Sequence, residues 1–280
     1  MTRAVTEADI RAAGQTLTDV GIENGLQEAR WIYAHLLEQD DPPHLTAFMN
    51  LIERRRLRQP LQHVLGSWAF FYLHLKTDSR ALIPRADTEP VIELALQRLG
   101  LTVFPPERSN RAITIADLGT GSGAILATLL TRFPKASGIA VEANGQALSL
   151  AKENFAALGL LSRTELVGHS WTDWTGWSQC DLIISNPPYI KRDVISTLAP
   201  EVRKHDPLDA LDGGIDGLDA YREIIALAQI HMRQGAELVF EIGFDQKDDV
   251  SALLLASGFQ NLEHMQDLGG HDRGIAATKS

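Results

Sequence analysis

The 280-residue sequence contains a single cysteine, Cys180, which excludes an internal disulfide and any metal cage built on several cysteines. It also lacks a long apolar run; nothing approaches the roughly 18–20 consecutive apolar residues that a membrane-spanning helix needs. The start, MTRAVTEADIRAAGQ, has neither an apolar signal core nor a small-residue cleavage site, so a cytoplasmic protein without a membrane partner is expected. Positive charge is in deficit, with 26 basic against 36 acidic residues and a net charge of −10. Proteins that wrap nucleic acid draw most of their affinity from neutralised phosphates, so this balance argues against a stable nucleic-acid partner. The one basic run, ERRRLRQ at 53–59, reads as the solvated face of a helix. The histidines show no metal-ligand spacing, so no metal is expected, and Ser122 lies outside a GxSxG setting, against a hydrolase.

What is present is the composition of a globular protein, 44% hydrophobic and 22% charged, without repeats or low-complexity tracts. Residues 1–60 read as a small helical domain. Thr6 followed by Asp9 signals a helix start, and LQEARWIYAHLLEQ spaces Leu26, Trp31, Leu36 and Leu37 at helical intervals before Asp41-Pro42-Pro43 breaks the run. Residues 61–85 are rich in aromatic and β-branched residues around TDSR, which predicts a connecting β-hairpin turning at that tetrapeptide. From 86 to 280 strand and helix patterns alternate. The strands AITIAD, ASGIAVE, RTELVGH, CDLIIS and AELVFEIG are interleaved with helices such as GAILATLLTRF and LDAYREIIALAQIHM. This is the α/β pattern of a mostly parallel sheet covered on both faces, with ligands at the carboxyl ends of its strands. Cys180, opening the CDLIIS run, reads as a small core residue. Trp171, Trp174 and Trp177 read first as packing residues.

Two of those strand ends carry unusual chemistry. The first strand runs into DLGTGSGA, where Asp117, Gly119, Gly121 and Gly123 form a strand-to-helix turn that lets a ligand approach the backbone. The same letters satisfy the dinucleotide fingerprint, so the loop alone suits a nicotinamide cofactor or S-adenosylmethionine equally, and Glu142 is placed to accept from the ribose diol of either. The fourth strand ends in SNPPYI. Prolines lack an N–H but keep their carbonyls, so Asn186-Pro187-Pro188 presents acceptors and few donors. A dehydrogenase has no use for such a turn there, whereas a methyltransferase must hold an NH2 group beside an electrophilic methyl.

DLGTGSG with SNPPYI, together with ALIPRADTE (81–89), EVRKHDP (201–207), LDGGIDGL (211–218), EIGFDQ (241–246) and DLGGHDRG (267–274), resembles the bacterial release-factor glutamine methyltransferases, the HemK or PrmC family. The likeness covers about residues 53–280. It implies a Rossmann-like class I methyltransferase sheet domain with a small N-terminal helical domain and a connecting hairpin. It implies S-adenosylmethionine as donor, S-adenosylhomocysteine as product, and N5-methylation of the glutamine in the Gly-Gly-Gln loop of peptide chain release factors. By resemblance, Asp117, Gly119, Thr120, Gly121 and Gly123 hold the methionine part and ribose of the cofactor and Glu142 its hydroxyls. Phe70 lies over it, Arg85 and Thr88 sit at its edge, Ser170 and Trp171 border the adenine, and Asn186 adjoins the methyl. Asn186, Pro187, Pro188 and Tyr189 match the substrate-amide site. Ala86 stands where the family usually has proline, and Ser170 where an aspartate commonly accepts from the adenine amino group.

In this reading the Asn186 side-chain oxygen and the Pro187 carbonyl accept the two amide hydrogens, and Tyr189 stacks on the amide plane. Three alternatives stand beside it: an N6-adenine methyltransferase, since an exocyclic amine offers the same two hydrogens; a methyltransferase for a ribosomal-protein glutamine; and a binding module that has kept the fold and lost catalysis.

Overall fold

The computed structural model describes residues 3–39, 42–102 and 106–280. The chain separates into two compact units, Met1–Trp68 with Ala199–His205, and Ala69–Leu198 with Asp206–Ser280. The first contains helices α1 (Glu7–Asp19), α2 (Gly25–Leu37), α3 (Leu45–Arg56) and α4 (Leu61–Leu65). Met1, Thr2 and the expected break residue Asp41 lie outside the described residues. The start of α1 is a capping box: Asp9 N–H donates to Thr6 Oγ1 at 3.3 Å, and Thr6 N–H donates to Asp9 Oδ2 at 2.9 Å. In α2 the buried stripe is Gly25, Ala29, Ile32 and Leu36. Leu26, Trp31 and Leu37 are exposed instead, because the stripe that packs is built from small and branched residues rather than the largest ones.

The basic run at 53–59 departs from the expected solvated face. Arg55 is only 5% exposed. Its guanidinium donates to Glu28 Oε2 at 2.5 Å and to Glu201 Oε1 at 3.0 Å. Arg58 donates to the carbonyls of Val20 and Gly21 at 3.0 and 2.9 Å and to Glu201 Oε2 at 2.8 Å, while Arg54 donates to the His63 carbonyl at 2.8 Å. A charged residue usually marks solvent, but the Arg55 guanidinium, matched by two carboxylates and the Gln59 carbonyl, is stable inside a small unit.

In the second unit, strands β1 (Ser67–Phe70), which crosses the division, and β2 (Leu73–Lys76) form the predicted hairpin. It turns at Phe71-Tyr72, with Phe71 at φ +51°, and not at TDSR. Two-residue hairpin loops need positive φ, whereas Asp78 closes its own local turn by accepting the Arg80 N–H at 3.1 Å. Helix α5 (Glu89–Arg98) leads to β3 (Thr114–Leu118), α6 (Ala124–Arg132), β4 (Ser137–Val141), α7 (Gly145–Ala157), β5 (Thr164–Val167) and β6 (Leu182–Ser185). After α8 (Pro200–His205), which belongs to the first unit, come α9 (Asp219–His231), β7 (Glu237–Glu241), α10 (Lys247–Ala256), β8 (Gln260–Gln266) and β9 (Asp272–Thr278).

The described strands β3 to β9 form one sheet in the order β5-β4-β3-β6-β7-β9-β8, parallel from β5 to β7 with β9 antiparallel to both neighbours. Successive strand residues feed opposite cores. Ile115, Leu182 and Ile184 pack with Leu94 of α5, Leu126 of α6 and Phe155 of α7. Ala116, Leu118 and Ile183 pack with Tyr221 and Ile224 of α9 and Leu254 of α10. Burial on both faces explains why these strands read as unbroken apolar runs. The β8–β9 hairpin was not anticipated; β8, QNLEHMQ, is a largely exposed edge strand and carries no apolar alternation.

Removing one partner from a buried ion pair leaves the other charge uncompensated, which costs about 3–5 kcal/mol. Arg55→Ala should therefore destabilise the protein by about 3 kcal/mol in urea unfolding, while Arg56→Ala, which removes an exposed pair with Glu53, should leave the unfolding midpoint nearly unchanged. Equal effects would mean that the Glu28–Arg55–Glu201 cluster contributes no more than a surface pair.

Candidate active site

The turn after β3 takes three glycines into the left-handed region, Gly119 at φ +72°, Gly121 at +56° and Gly123 at +82°. The N–H groups of Gly119 and Thr120 both donate to the Val141 carbonyl, at 2.8 and 3.1 Å, which ties the turn to the end of β4. A Cβ on Gly123 would lie 2.8 Å from the Phe155 ring, so that glycine serves helix packing. A Cβ on Gly121 would meet nothing nearer than 3.9 Å, so its open side is left for a ligand. Glu142 clamps the same loop from the neighbouring strand end. Its Oε2 accepts the Gly121 N–H at 3.0 Å and its Oε1 the Asn144 N–H at 2.8 Å, with further lone pairs to spare.

Asn154 supplies a second tie that sequence reasoning missed. This buried amide accepts the Lys76 N–H at 2.8 Å and donates to the carbonyls of Lys76 at 3.2 Å and Ser122 at 2.9 Å, joining β2 to the glycine turn. It lies in the middle of a helical pattern, where Asn reads as an ordinary solvated residue, and only its partners reveal the role.

A cavity of about 440 Å³ opens at these strand ends. Of the residues singled out above, Gly119, Thr120, Gly121 and Glu142 line its floor with Asn186 and Pro188, and Phe70, Thr88, Ser170 and Trp171 line its walls. Part of the remaining lining, Arg80 to Pro84 with Pro207, Asp209 and Ala210, carries no assignment from the sequence, although ALIPRADTE and the end of EVRKHDP bracket it. The Ser170 oxygen accepts the Thr172 N–H at 3.2 Å and its hydroxyl at 3.0 Å. Trp171 donates to Glu223 Oε2 at 2.6 Å, with its ring 3.6 Å from where a Gly119 Cβ would lie. Trp174 and Trp177 are buried against each other at 5.3 Å between ring centroids, as packing residues.

Five of the residues singled out are not in the cavity wall: Arg85, Asp117, Gly123, Pro187 and Tyr189. Arg85 pairs with Asp206 at 3.2 Å. Asp117 lies beneath the turn, fully buried, accepting the Thr120 hydroxyl at 2.7 Å. Burial pushes its carboxyl up to about 7, against the pull of the Thr120 hydroxyl. Tyr189 donates its hydroxyl to Glu241 Oε1 at 3.1 Å, and its carbonyl accepts from Gln246 Nε2 at 3.1 Å.

Asn186 follows directly on β6. Among the described residues its side chain makes no hydrogen bond, and the buried Pro187 offers a carbonyl that accepts none. Two acceptors without partners therefore stand side by side at the end of the strand, next to a cavity whose glycine turn and carboxylate suit a ribose-bearing ligand. No group of His, Cys, Asp and Glu among the described residues could hold a metal ion, and no described helix is long and apolar enough to cross a membrane.

Comparison with known proteins agrees with this geometry. The Methyltransferase small domain family matches residues 98–201. The chain is 39% identical to a release factor glutamine methyltransferase of Agrobacterium fabrum over 285 residues, covering 96% of each. It is 40% identical to one of Caulobacter vibrioides over 229 residues, covering 82% of this chain and 76% of that one. Among solved structures, a methyltransferase from Pyrococcus furiosus shares the fold at a TM-score of 0.53 and 17% identity, over 76% of this chain and 91% of that one.

Because the folded protein holds the Asp117 proton to about pH 7 and the unfolded chain releases it near pH 4, ionisation of this carboxyl costs stability increasingly as pH rises through that window. Asp117→Asn keeps an acceptor for the Thr120 hydroxyl and removes the titration. The stability of the variant relative to the parent should therefore rise between about pH 4 and pH 7 and then level off. Denaturant midpoints for both proteins across that range would show it; a constant difference would mean that Asp117 ionises as freely as in the unfolded chain.

Proposed function

The chain belongs to the release factor glutamine methyltransferase family, and from that premise we propose that it methylates the side-chain amide nitrogen of the glutamine in the Gly-Gly-Gln loop of peptide chain release factors, with S-adenosylmethionine as donor. The observation that carries this reading is a pair of acceptors without partners among the described residues: Asn186 Oδ1, on a side chain that lines the cavity, and the carbonyl of Pro187, the next residue. An NH2 group supplies the two donors they lack.

The residues present fit the donor. The open side of Gly121, the carboxylate of Glu142 and the ring of Phe70 border one cavity of suitable size for a nucleoside with an amino-acid tail. S-adenosylmethionine would supply a sulfonium methyl: the amide nitrogen forms the new N–C bond, the S–C bonding pair stays on a neutral sulfide, and one of the two N–H protons is released to solvent. The protein's own task is alignment. An amide nitrogen is a weak nucleophile because its lone pair is delocalised into the carbonyl. By accepting both hydrogens, Asn186 and Pro187 fix the nitrogen's direction and favour its pyramidalisation, and Tyr189 sets the amide's rotation by stacking. Positioning of this kind can supply several kcal/mol, with roughly 7–11 as the limit for ideal alignment.

For protein recognition we propose that the N-terminal helices contribute a docking surface, supported by the exposed Leu26, Trp31 and Leu37 of α2 and Met49 of α3. Trp31→Ser should raise KM for an intact release factor by about tenfold and leave a short glutamine peptide unaffected. Equal kinetics for both substrates would remove α2 from docking.

Asn186→Ala should lower single-turnover methyl transfer by at least about two orders of magnitude, roughly 2.7 kcal/mol, with nearly unchanged cofactor affinity. Glu142→Ala should show the opposite division, weakening cofactor binding by about 1.5–3 kcal/mol and affecting saturated turnover less. The assay is methyl transfer to purified release factor, ribosomal protein and DNA in parallel. An Asn186→Ala enzyme within about threefold of the parent, or label appearing only in DNA, would sink the proposal.

A further inference from the structure

Several motifs have no role in the mechanism above, yet they converge on Tyr189. From LDGGIDGL, Gly213 and Gly217 pass so close that a Cβ on either would lie 2.7 or 2.4 Å from the tyrosine backbone. From EIGFDQ, Gln246 Nε2 donates to the carbonyls of Tyr189 and Gly217, each at 3.1 Å. Glu241, the last residue of β7, accepts the Tyr189 hydroxyl on Oε1. The Tyr221 hydroxyl donates to the Glu241 carbonyl at 2.8 Å and steadies that end of the strand. Arg273, from DLGGHDRG, pairs with Asp267 at 2.9 Å and with Asp87 of ALIPRADTE at 3.2 Å.

The backbone of Tyr189 is thus fixed by glycines and an amide, but a fixed backbone leaves the ring free to rotate about its side-chain torsions. The ring packs against the apolar core on that face, and the bond at the phenol tip fixes where the tip lies, because the hydroxyl oxygen sits on the ring's own rotation axis. The acceptor there is costly. Glu241 is 2% exposed, and its Oε2 makes no hydrogen bond. Burial pushes its carboxyl up to about 6, against the pull of the Thr88 and Tyr189 hydroxyls and the Arg273 charge, and burial with the neighbouring Glu241 charge pushes the Tyr189 phenol up as well. At neutral pH the tyrosine keeps its proton and donates to a carboxylate, a stronger bond than one to a neutral acceptor. Purely structural packing would favour an apolar pair of similar volume over a buried charge with an orphaned oxygen.

We propose that Glu241 is a positioning residue for methyl transfer: through the Tyr189 hydroxyl it fixes the position of the ring on which the substrate's flat side-chain amide lies. The inference rests on the functional reading above, in which Tyr189 stacks on that amide. Restraining the ring orients the nitrogen between the Asn186 and Pro187 acceptors, so the loss of Glu241 acts on alignment and not on the cofactor.

The test is single-turnover methyl transfer to a purified release factor, with enzyme and S-adenosylmethionine saturating. Glu241→Leu should slow transfer by at least about tenfold, Glu241→Gln should stay within about threefold because its Oε1 still accepts, and Tyr189→Phe should slow transfer comparably to Glu241→Leu. Adding Glu241→Leu to Tyr189→Phe should then change little, because both remove the same bond. Calorimetric affinity of the cofactor-free enzyme for release factor should follow the same order, with S-adenosylmethionine affinity unchanged. A Glu241→Gln enzyme as slow as Glu241→Leu, or a Leu effect of equal size in both backgrounds, overturns the positioning role. If Glu241→Leu does not fold, the two isosteric variants decide: Tyr189→Phe must be slow and Glu241→Gln fast, and any other result overturns it. A parent enzyme that transfers no methyl to the glutamine overturns the functional reading and this inference with it, whereas an active parent with indifferent variants overturns the inference alone.

Discussion

The register of three parallel strands fixes the site. Leu118 is paired with Val141 on one side and Ser185 on the other, so β3, β4 and β6 end level with one another. The next residue on each strand is then Gly119, Glu142 and Asn186. A slip of one residue would turn Asn186 to the opposite face of the sheet and carry Glu142 away from the Gly121 N–H. The register is held by the ladder, by alternating burial into two cores, and by the Ser185 hydroxyl, which donates to the Leu118 carbonyl at 2.7 Å across the strands. Class I methyltransferase geometry follows from that alignment, because a cavity at a switch in strand order is bordered by whatever the level strand ends present.

Local chemistry then divides the strand ends by polarity. The glycine turn is rich in N–H groups, and those of Gly119, Thr120 and Gly121 are already matched, by the Val141 carbonyl and by Glu142. The turn after β6 is the converse, poor in donors and with acceptors left over. The site thus keeps one side prepared for a ligand with hydroxyls and the other for a ligand with an NH2 group. In the proposed reaction Asn186 directs the nitrogen by accepting from it, and the one proton that methylation displaces becomes acidic as the N–C bond forms, so it can leave for solvent without a strong base.

Much of this was legible in the residues. The alternating pattern shows the α/β sheet because strands buried on both faces must be apolar throughout, and GTGSG and NPPY are visible because glycine and proline constrain the backbone by themselves. What was hidden depended on partners distant in sequence. Arg55 reads as a surface charge until Glu28 and Glu201 are brought to it. Asn154 reads as solvated until β2 and the glycine turn arrive on either side. The hairpin turn was misplaced because TDSR carries the usual turn residues, while Phe71 adopts positive φ with no such signal. Glu241 sat within a quoted motif, EIGFDQ, but nothing local marks it as the acceptor for a tyrosine fifty-two residues away.

The distribution of perturbed carboxyls shows where stability has been given up. Arginine hydrogen bonds hold Glu153 and Asp216, on the exterior, down at about 2, so their ionised forms strengthen the fold at neutral pH. Around the cavity the direction reverses. Burial pushes Asp117, under the glycine turn, up to about 7, and pushes Asp206, beside Arg85, and Glu241, beneath Tyr189, up to about 6. Each also has an oxygen without a hydrogen bond. A core chosen for stability alone would replace such groups with apolar ones of equal volume. Their concentration under the glycine turn, the Arg85 segment and the Tyr189 ring places the local cost where the proposed reaction needs backbone and ring held in place, the pattern expected when a site's geometry is kept at the expense of its stability.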